Sequence, residues 1–189
     1  MNQDPTTNAL VHTIDGAAEI TVDSQNVYPT ERGPLAFDLY RPRSEDRRAH
    51  PAVILVSGLP DPGVVAMLGK PLKDWASYVG WARMVAASGI VAVTYVNRSA
   101  EDVTALVHHL RAHADALGID PTRIGVWACS GNVPTALALV AKEKLACAAF
   151  LYGYLLDLDG ASDVANASAQ YHFACLRCRS KSFRSKCRC

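Results

Sequence analysis

The sequence predicts an α/β fold, a mostly parallel sheet with helices on both faces. Three observations carry this. Continuous apolar runs, mostly rich in β-branched residues, recur along the chain: PAVILVSG from Pro51, IVAVTYV from Ile90, IGVWA from Ile124 and ACAAFLYG from Ala146. Strands buried on both faces read this way. Segments with helical apolar spacing separate them, and strand–helix alternation means a parallel sheet. Two period-two pieces come first, EITVDSQNVY and PLAFDLYRP, which suit an antiparallel edge with one wet face.

The elements follow in order. Residues 1–17 are polar and read as a flexible N-terminus. Arg43–His50 is a charged, solvated loop before the strand at Pro51–Gly58. In DWASYVGWARMVAAS, Trp75, Tyr78, Val79, Ala82 and Val85 recur at helical spacing, and Gly89 ends the helix. After Ile90–Val96, Ser99 caps a helix, with Asp102 three residues on as a shortened capping box. Val103, Leu106, Val107, Leu110 and Leu117 form its apolar stripe, and Gly118 closes it. DPTR makes a turn into the third buried strand. A helix over 133–145 and a strand over 146–153 follow. Right-handed crossovers set the carboxyl ends of these strands along one edge, where open sheets bind ligands. Gly58, Asn97 and Ser130 all fall there.

The chain has 189 residues and is half apolar, enough for one domain with a real core. Its formal charge of +1 conceals a division. Residues 172–189 hold six of the nineteen Lys and Arg and no acid; the rest carries thirteen basic against eighteen acidic groups, a net of −5. Cysteine divides likewise. Cys129 and Cys147 read as reduced core thiols, whereas Cys175, Cys178, Cys187 and Cys189 crowd the end. The N-terminus has no basic, apolar leader, and the longest apolar run, Leu145–Leu156, is too short to span a bilayer. These features predict a cytoplasmic protein without membrane association.

Ser130 stands in A-C-S-G-N, between a buried strand and a helix. A serine on a sharp strand-to-helix turn needs small residues two before and two after it, because the backbone is crowded there. Ala128 and Asn132 occupy those positions, where G-x-S-x-G is usual. Asparagine is admitted for its tolerance of unusual dihedrals. A nucleophile at Cys129 would put Trp127 at the crowded position instead. The other reading of Ser130 is a hydroxyl capping the helix that begins near Val133. VSGLPDPG, Val56–Gly63, can aim N–H groups of Leu59, with that of Gly131, at a developing oxyanion, or be a plain Gly–Pro turn.

From about Ala18 to Ala169 the chain resembles the N-terminal part of an α/β-hydrolase, of the dienelactone hydrolase and small-esterase type. The resemblance rests on FDLYRP, PAVILVSG, SGIVAVTYVNR and LGIDPTRIGVWACSGN in that order. It implies hydrolysis of a small-molecule carboxylic ester or lactone, with Ser130 as nucleophile, Leu59 and Gly131 as oxyanion hole, and no cofactor. The chain departs from the family in Ser57–Gly58, where His-Gly is usual, and in the residues flanking Ser130. The family's acid and histidine follow the serine. After Ser130 the acids are Glu143, Asp157, Asp159 and Asp163, and the one histidine is His172. Asp157 or Asp159 as acid and His172 as base fit in order and type, although no strand places the histidine.

The expected fold therefore lacks its last strands: residues 18–171 form the N-terminal part of the domain and 172–189 a disordered basic tail. The tail's Arg, Cys and Ser are what a GC-rich gene yields in a shifted frame, so the chain reads as truncated or frame-shifted near His172 and as catalytically impaired. The alternative is a non-catalytic α/β module that binds a partner through its open edge or basic tail. No metal is expected. His109 and His113, four apart, read as a solvated helix face. Cys175-x-x-Cys178 and Cys187-x-Cys189 resemble zinc half-sites without an apolar frame. With Phe183 alone among the tail's basic residues to stack a base, nucleic acid is not an expected partner.

Overall fold

A computed structural model describes residues 4–43 and 48–153. Its sheet has six strands in the order β1-β2-β4-β3-β5-β6. They are β1 (Thr21–Tyr28), β2 (Leu35–Arg41), β3 (His50–Leu55), β4 (Val91–Tyr95), β5 (Ile119–Cys129) and β6 (Ala148–Leu151). β1, β2 and β4 pair antiparallel, and β3 pairs parallel with both β4 and β5. β6 pairs parallel with β5. The period-two pieces thus form the antiparallel side, but only β1 has a wet face, β2 being largely buried between β1 and β4. The apolar runs β3, β4 and β5 form the centre, whereas β6, expected to be buried, is half-exposed at the end of the described sheet. Every residue of β4 is buried.

The helices are α1 (Asp61–Leu68), α2 (Ala76–Ala87), α3 (Asp102–Ala112), the single turn α4 (Ala114–Leu117) and α5 (Val133–Lys142). Alternation along the strands divides the core. Ile54, Val93, Val126 and Phe37 pack with Leu106, Leu110, Leu137 and Val140 of α3 and α5. Leu55, Ala92 and Tyr40 face Tyr78, Ala82 and Ala86 of α2 on the opposite side. Full burial of one Leu, Ile or Phe contributes about 1.5–3 kcal/mol, so these two layers, rather than helix propensity, hold the sheet. Residues 5–20 lie along α2: Leu10 rests against Gly80, and Arg83 Nη1 donates to the carbonyls of Ala17, Ala18 and Ile20.

Four local expectations need correction. LPDPG is not a plain turn but opens α1, with Pro62 in its first turn. The helix predicted to run to Gly118 ends at Ala112, and α4 intervenes before Gly118 closes the segment in a left-handed conformation. Only half of the capping box forms: Asp102 accepts the N–H groups of Arg98 (2.6 Å) and Ser99 (2.9 Å). Asp102 N–H bonds the Ser99 carbonyl instead of its hydroxyl. Cys147 is exposed rather than in the core, while Cys129 is buried. DPTR does turn, as a bulge within β5: His50 pairs Ile119 and Ala52 pairs Ile124, leaving Asp120–Arg123 opposite Pro51.

Candidate active site

β5 ends at Cys129, and the chain turns sharply through a 3-10 segment, Ser130–Asn132, into α5. Ser130 carries the turn itself, with φ of +53°. A non-glycine residue in the left-handed region costs of order 1–3 kcal/mol and persists only where its surroundings impose it. The side chain is exposed at the carboxyl edge of the sheet. It does not cap α5, since no side-chain hydrogen bond caps either the turn or the helix.

The neighbouring residues fit the crowding. Ala128 is fully buried. Asn132 has an ordinary φ of −86°, so the unusual dihedral falls on Ser130 and not, as the sequence suggested, on the asparagine. Cys129 is 5% exposed, and burial pushes its thiol up, against the hydroxyls of Tyr152 and Tyr78, which lower it. A thiol so placed is a poor nucleophile.

The loop after β3 lies directly on this turn. A Cβ on Gly58 would come within 2.8 Å of Asn132 Cα and 2.9 Å of the Gly131 carbonyl oxygen. Glycine is required there by close approach of two backbones. Gly58 N–H donates to Asn132 Oδ1 (2.7 Å), and Asn132 Nδ2 donates to the Tyr78 hydroxyl (2.5 Å). Tyr78 is buried against Trp81 and Trp127. Ser57 N–H donates to the Tyr95 hydroxyl (3.1 Å), and Asn97 Nδ2 donates to the Ser57 carbonyl (3.3 Å). Leu59 N–H has no hydrogen-bond partner among the described residues, and its side chain is exposed.

Asp61 fastens the loop's far end. Its N–H donates to the Asn97 carbonyl (3.0 Å), while its carboxylate accepts the N–H groups of Asn97 (2.8 Å) and Leu72 (3.0 Å). Burial pushes this carboxyl up, against those two bonds. Asp61, Tyr78 and the carboxamide of Asn132 escaped the sequence reading. The departure of Asn132 from the usual glycine was the only available signal.

The other predicted residues divide. Leu59 and Gly131 lie on the two segments that meet beside Ser130. Asp157, Asp159, His172 and residues 172–189, with their cysteines, lie outside the described residues. His108, His109 and His113 sit on the last turn of α3 and just beyond it. His108 pairs with Glu143 (2.8 Å), and His109 stacks on His113. The chain runs along α3 away from the carboxyl edge, so none of them reaches Ser130. Among the described residues no cluster of three His, Cys, Asp or Glu could hold a metal. No described helix is long and apolar enough to cross a membrane.

No protein-family model and no curated protein matches the sequence. Solved structures do. Esterase Est22 superposes with a TM-score of 0.58 at 20% identity, over 73% of this chain and 46% of that one. EstE1, a thermophilic and thermostable carboxylesterase cloned from a metagenomic library, gives 0.57 at 18%, over 71% and 47%. LAE6, an α/β hydrolase enzyme from the metagenome of Lake Arreo, gives 0.57 at 15%, over 70% and 44%. The chain spans slightly under half the length of each. At such identities the likeness speaks for the fold alone. The chain has the α/β-hydrolase fold.

Proposed function

We propose that the chain is a serine-hydrolase-like protein of the dienelactone hydrolase and small-esterase type, directed at small carboxylic esters or lactones. The observation that carries this is Ser130, held exposed at φ +53° where β5 meets α5, beside a loop whose Leu59 N–H has no partner among the described residues. In this reading Ser130 Oγ attacks the substrate carbonyl and its proton passes to a histidine. The N–H groups of Leu59 and Gly131 receive the oxyanion, an acyl-enzyme forms, and water releases the acid. In the unimpaired reaction His172 would be that base and Asp157 the acid that orients it; in this proposal the pair does not serve, and that is the impairment. No step needs a cofactor.

Turnover is slow in this proposal. No described imidazole stands beside Ser130, and a serine without a placed base retains only what the oxyanion hole and binding supply, roughly 10³–10⁴ over water. Hydrolysis of p-nitrophenyl acetate by the purified chain tests it. Weak turnover lost in Ser130→Ala and indifferent to His172→Ala is expected. Efficient turnover lost in both variants would refute the impairment and establish His172 as base. Turnover unchanged in Ser130→Ala would refute the nucleophile.

A further inference from the structure

Two departures from the usual hydrolase pattern meet in space. One is the Ser57–Gly58 pair after β3; the other is Asn132, where glycine normally follows the nucleophile by two. They are 74 residues apart in sequence and joined by the Gly58 N–H to Asn132 Oδ1 bond of 2.7 Å. Asn132 is 8% exposed, so this bond is shielded from water. Its Nδ2 is spent on the Tyr78 hydroxyl, itself held in the α2 layer. The carboxamide is therefore anchored at both ends, and its orientation is fixed: oxygen toward the loop, nitrogen toward Tyr78.

We infer that Asn132 is a positioning residue that pins the loop after β3 to the Ser130 turn and leaves Leu59 N–H as the donor beside it that is without a partner among the described residues. This rests on the Ser130 reading above. With glycine at 132, Gly58 N–H would lose its acceptor and could itself turn toward the site. The Asn132 side chain removes that option: it consumes one donor and thereby sets which N–H faces a substrate. Close packing of Gly58 on Asn132 Cα and the Gly131 carbonyl works in the same direction. The spacing between Leu59 N–H and Gly131 N–H, the two groups that must converge on one oxygen, then depends on one carboxamide. Misplacement by about 1 Å costs roughly a hundredfold in rate where donors must converge.

Amide hydrogen exchange on the full chain tests the pin without requiring catalysis. Asn132→Gly should raise the exchange rate of Gly58 N–H by about tenfold or more through local opening, leaving the amides of β3 unchanged. Asn132→Asp keeps an acceptor oxygen and should keep the protection. In the Ser130-dependent hydrolysis of p-nitrophenyl acetate, Asn132→Gly should lower kcat by about tenfold to a hundredfold with KM little changed. Unaltered Gly58 exchange in Asn132→Gly, equal loss in Asn132→Asp, or raised exchange with unaltered kcat would each overturn the inference. If Asn132→Gly does not fold, Tyr78→Phe frees one end of the carboxamide, and it too should raise Gly58 exchange; no rise would refute the pin. Hydrolysis insensitive to Ser130→Ala would strike the nucleophile reading instead, and Gly58 exchange would still decide the pin.

Discussion

Replacing Gly58 by alanine is the sharpest test of how the two site segments are packed. The added methyl would lie 2.8 Å from Asn132 Cα, 2.9 Å from the Gly131 carbonyl oxygen and 3.2 Å from Thr135 Oγ1. Carbon atoms settle near 3.5–4.0 Å, so the loop must retreat by about 0.7 Å or more. Two of the three obstacles are backbone and cannot rotate away. Gly58 does not have a left-handed φ, so the cost is contact alone. Overpacking of this kind costs about 1–3 kcal/mol, and stretching the Gly58–Asn132 bond adds about 1 kcal/mol. A loss of about 2–4 kcal/mol lowers Tm by roughly 5–15 °C in a chain of this size. Gly63→Ala is the matched control. Gly63 lies within α1 and its Cβ would meet nothing within 4 Å, so alanine should stabilise by about 0.5–1 kcal/mol. Thermal and urea unfolding followed by far-UV circular dichroism reads both. Gly58→Ala within about 0.5 kcal/mol of wild type would show that the loop does not press on the turn.

Two further outcomes concern the frame around the site. Lys73 Nζ pairs with Asp38 (2.8 Å), their side chains 13% and 6% exposed, so Lys73→Met should cost about 3–5 kcal/mol in urea unfolding by leaving a buried carboxylate alone. Adding Asp38→Asn should recover much of that, and a single-variant loss below about 1 kcal/mol would refute the burial argument. At Asp120, hydrogen bonds from the Thr122 hydroxyl and the Arg123 side chain hold the carboxyl down at about 2. A lowered carboxylate stabilises the fold above its ordinary value of 3.8, and that contribution is lost as pH falls through about 2. Carbon-detected NMR titration should place Asp120 there, and Asp120→Asn should flatten the acid limb of the stability curve; an ordinary titration near 4 would contradict it.

The sheet was legible because burial on both faces leaves a mark in composition: β3, β4 and the second half of β5 are runs of Val, Ile and Ala. The turn at Ser130 was legible because small flanking residues are a local steric demand. Lateral strand order was not, since pairing of β3 with both β4 and β5 depends on crossovers rather than on any residue. α1 was missed for a physical reason. Its sequence opens with Pro-Asp-Pro-Gly, a turn composition, and the helix start is fixed by Asp61 reaching Asn97 and Leu72, contacts no window contains. Cys147 misled because an apolar neighbourhood in sequence need not be an apolar neighbourhood in space. Asn132 was read for its backbone when its side chain was the informative part.

The bond between Gly58 and Asn132 also has a kinetic consequence. It closes 74 residues of chain, against 36 for the Asp61–Asn97 bond. Each doubling of a loop costs only about 0.6 kcal/mol, but it cannot close until β3 and β5 lie side by side. The serine turn and its companion loop therefore meet late, after the strands have paired. Contacts made after the rate-limiting step leave the folding rate alone and govern how fast the protein comes apart. Weakening this junction should shorten the lifetime of the folded chain while its rate of folding stays the same, so the persistence of the fold is sensitive to the packing at the Ser130 turn.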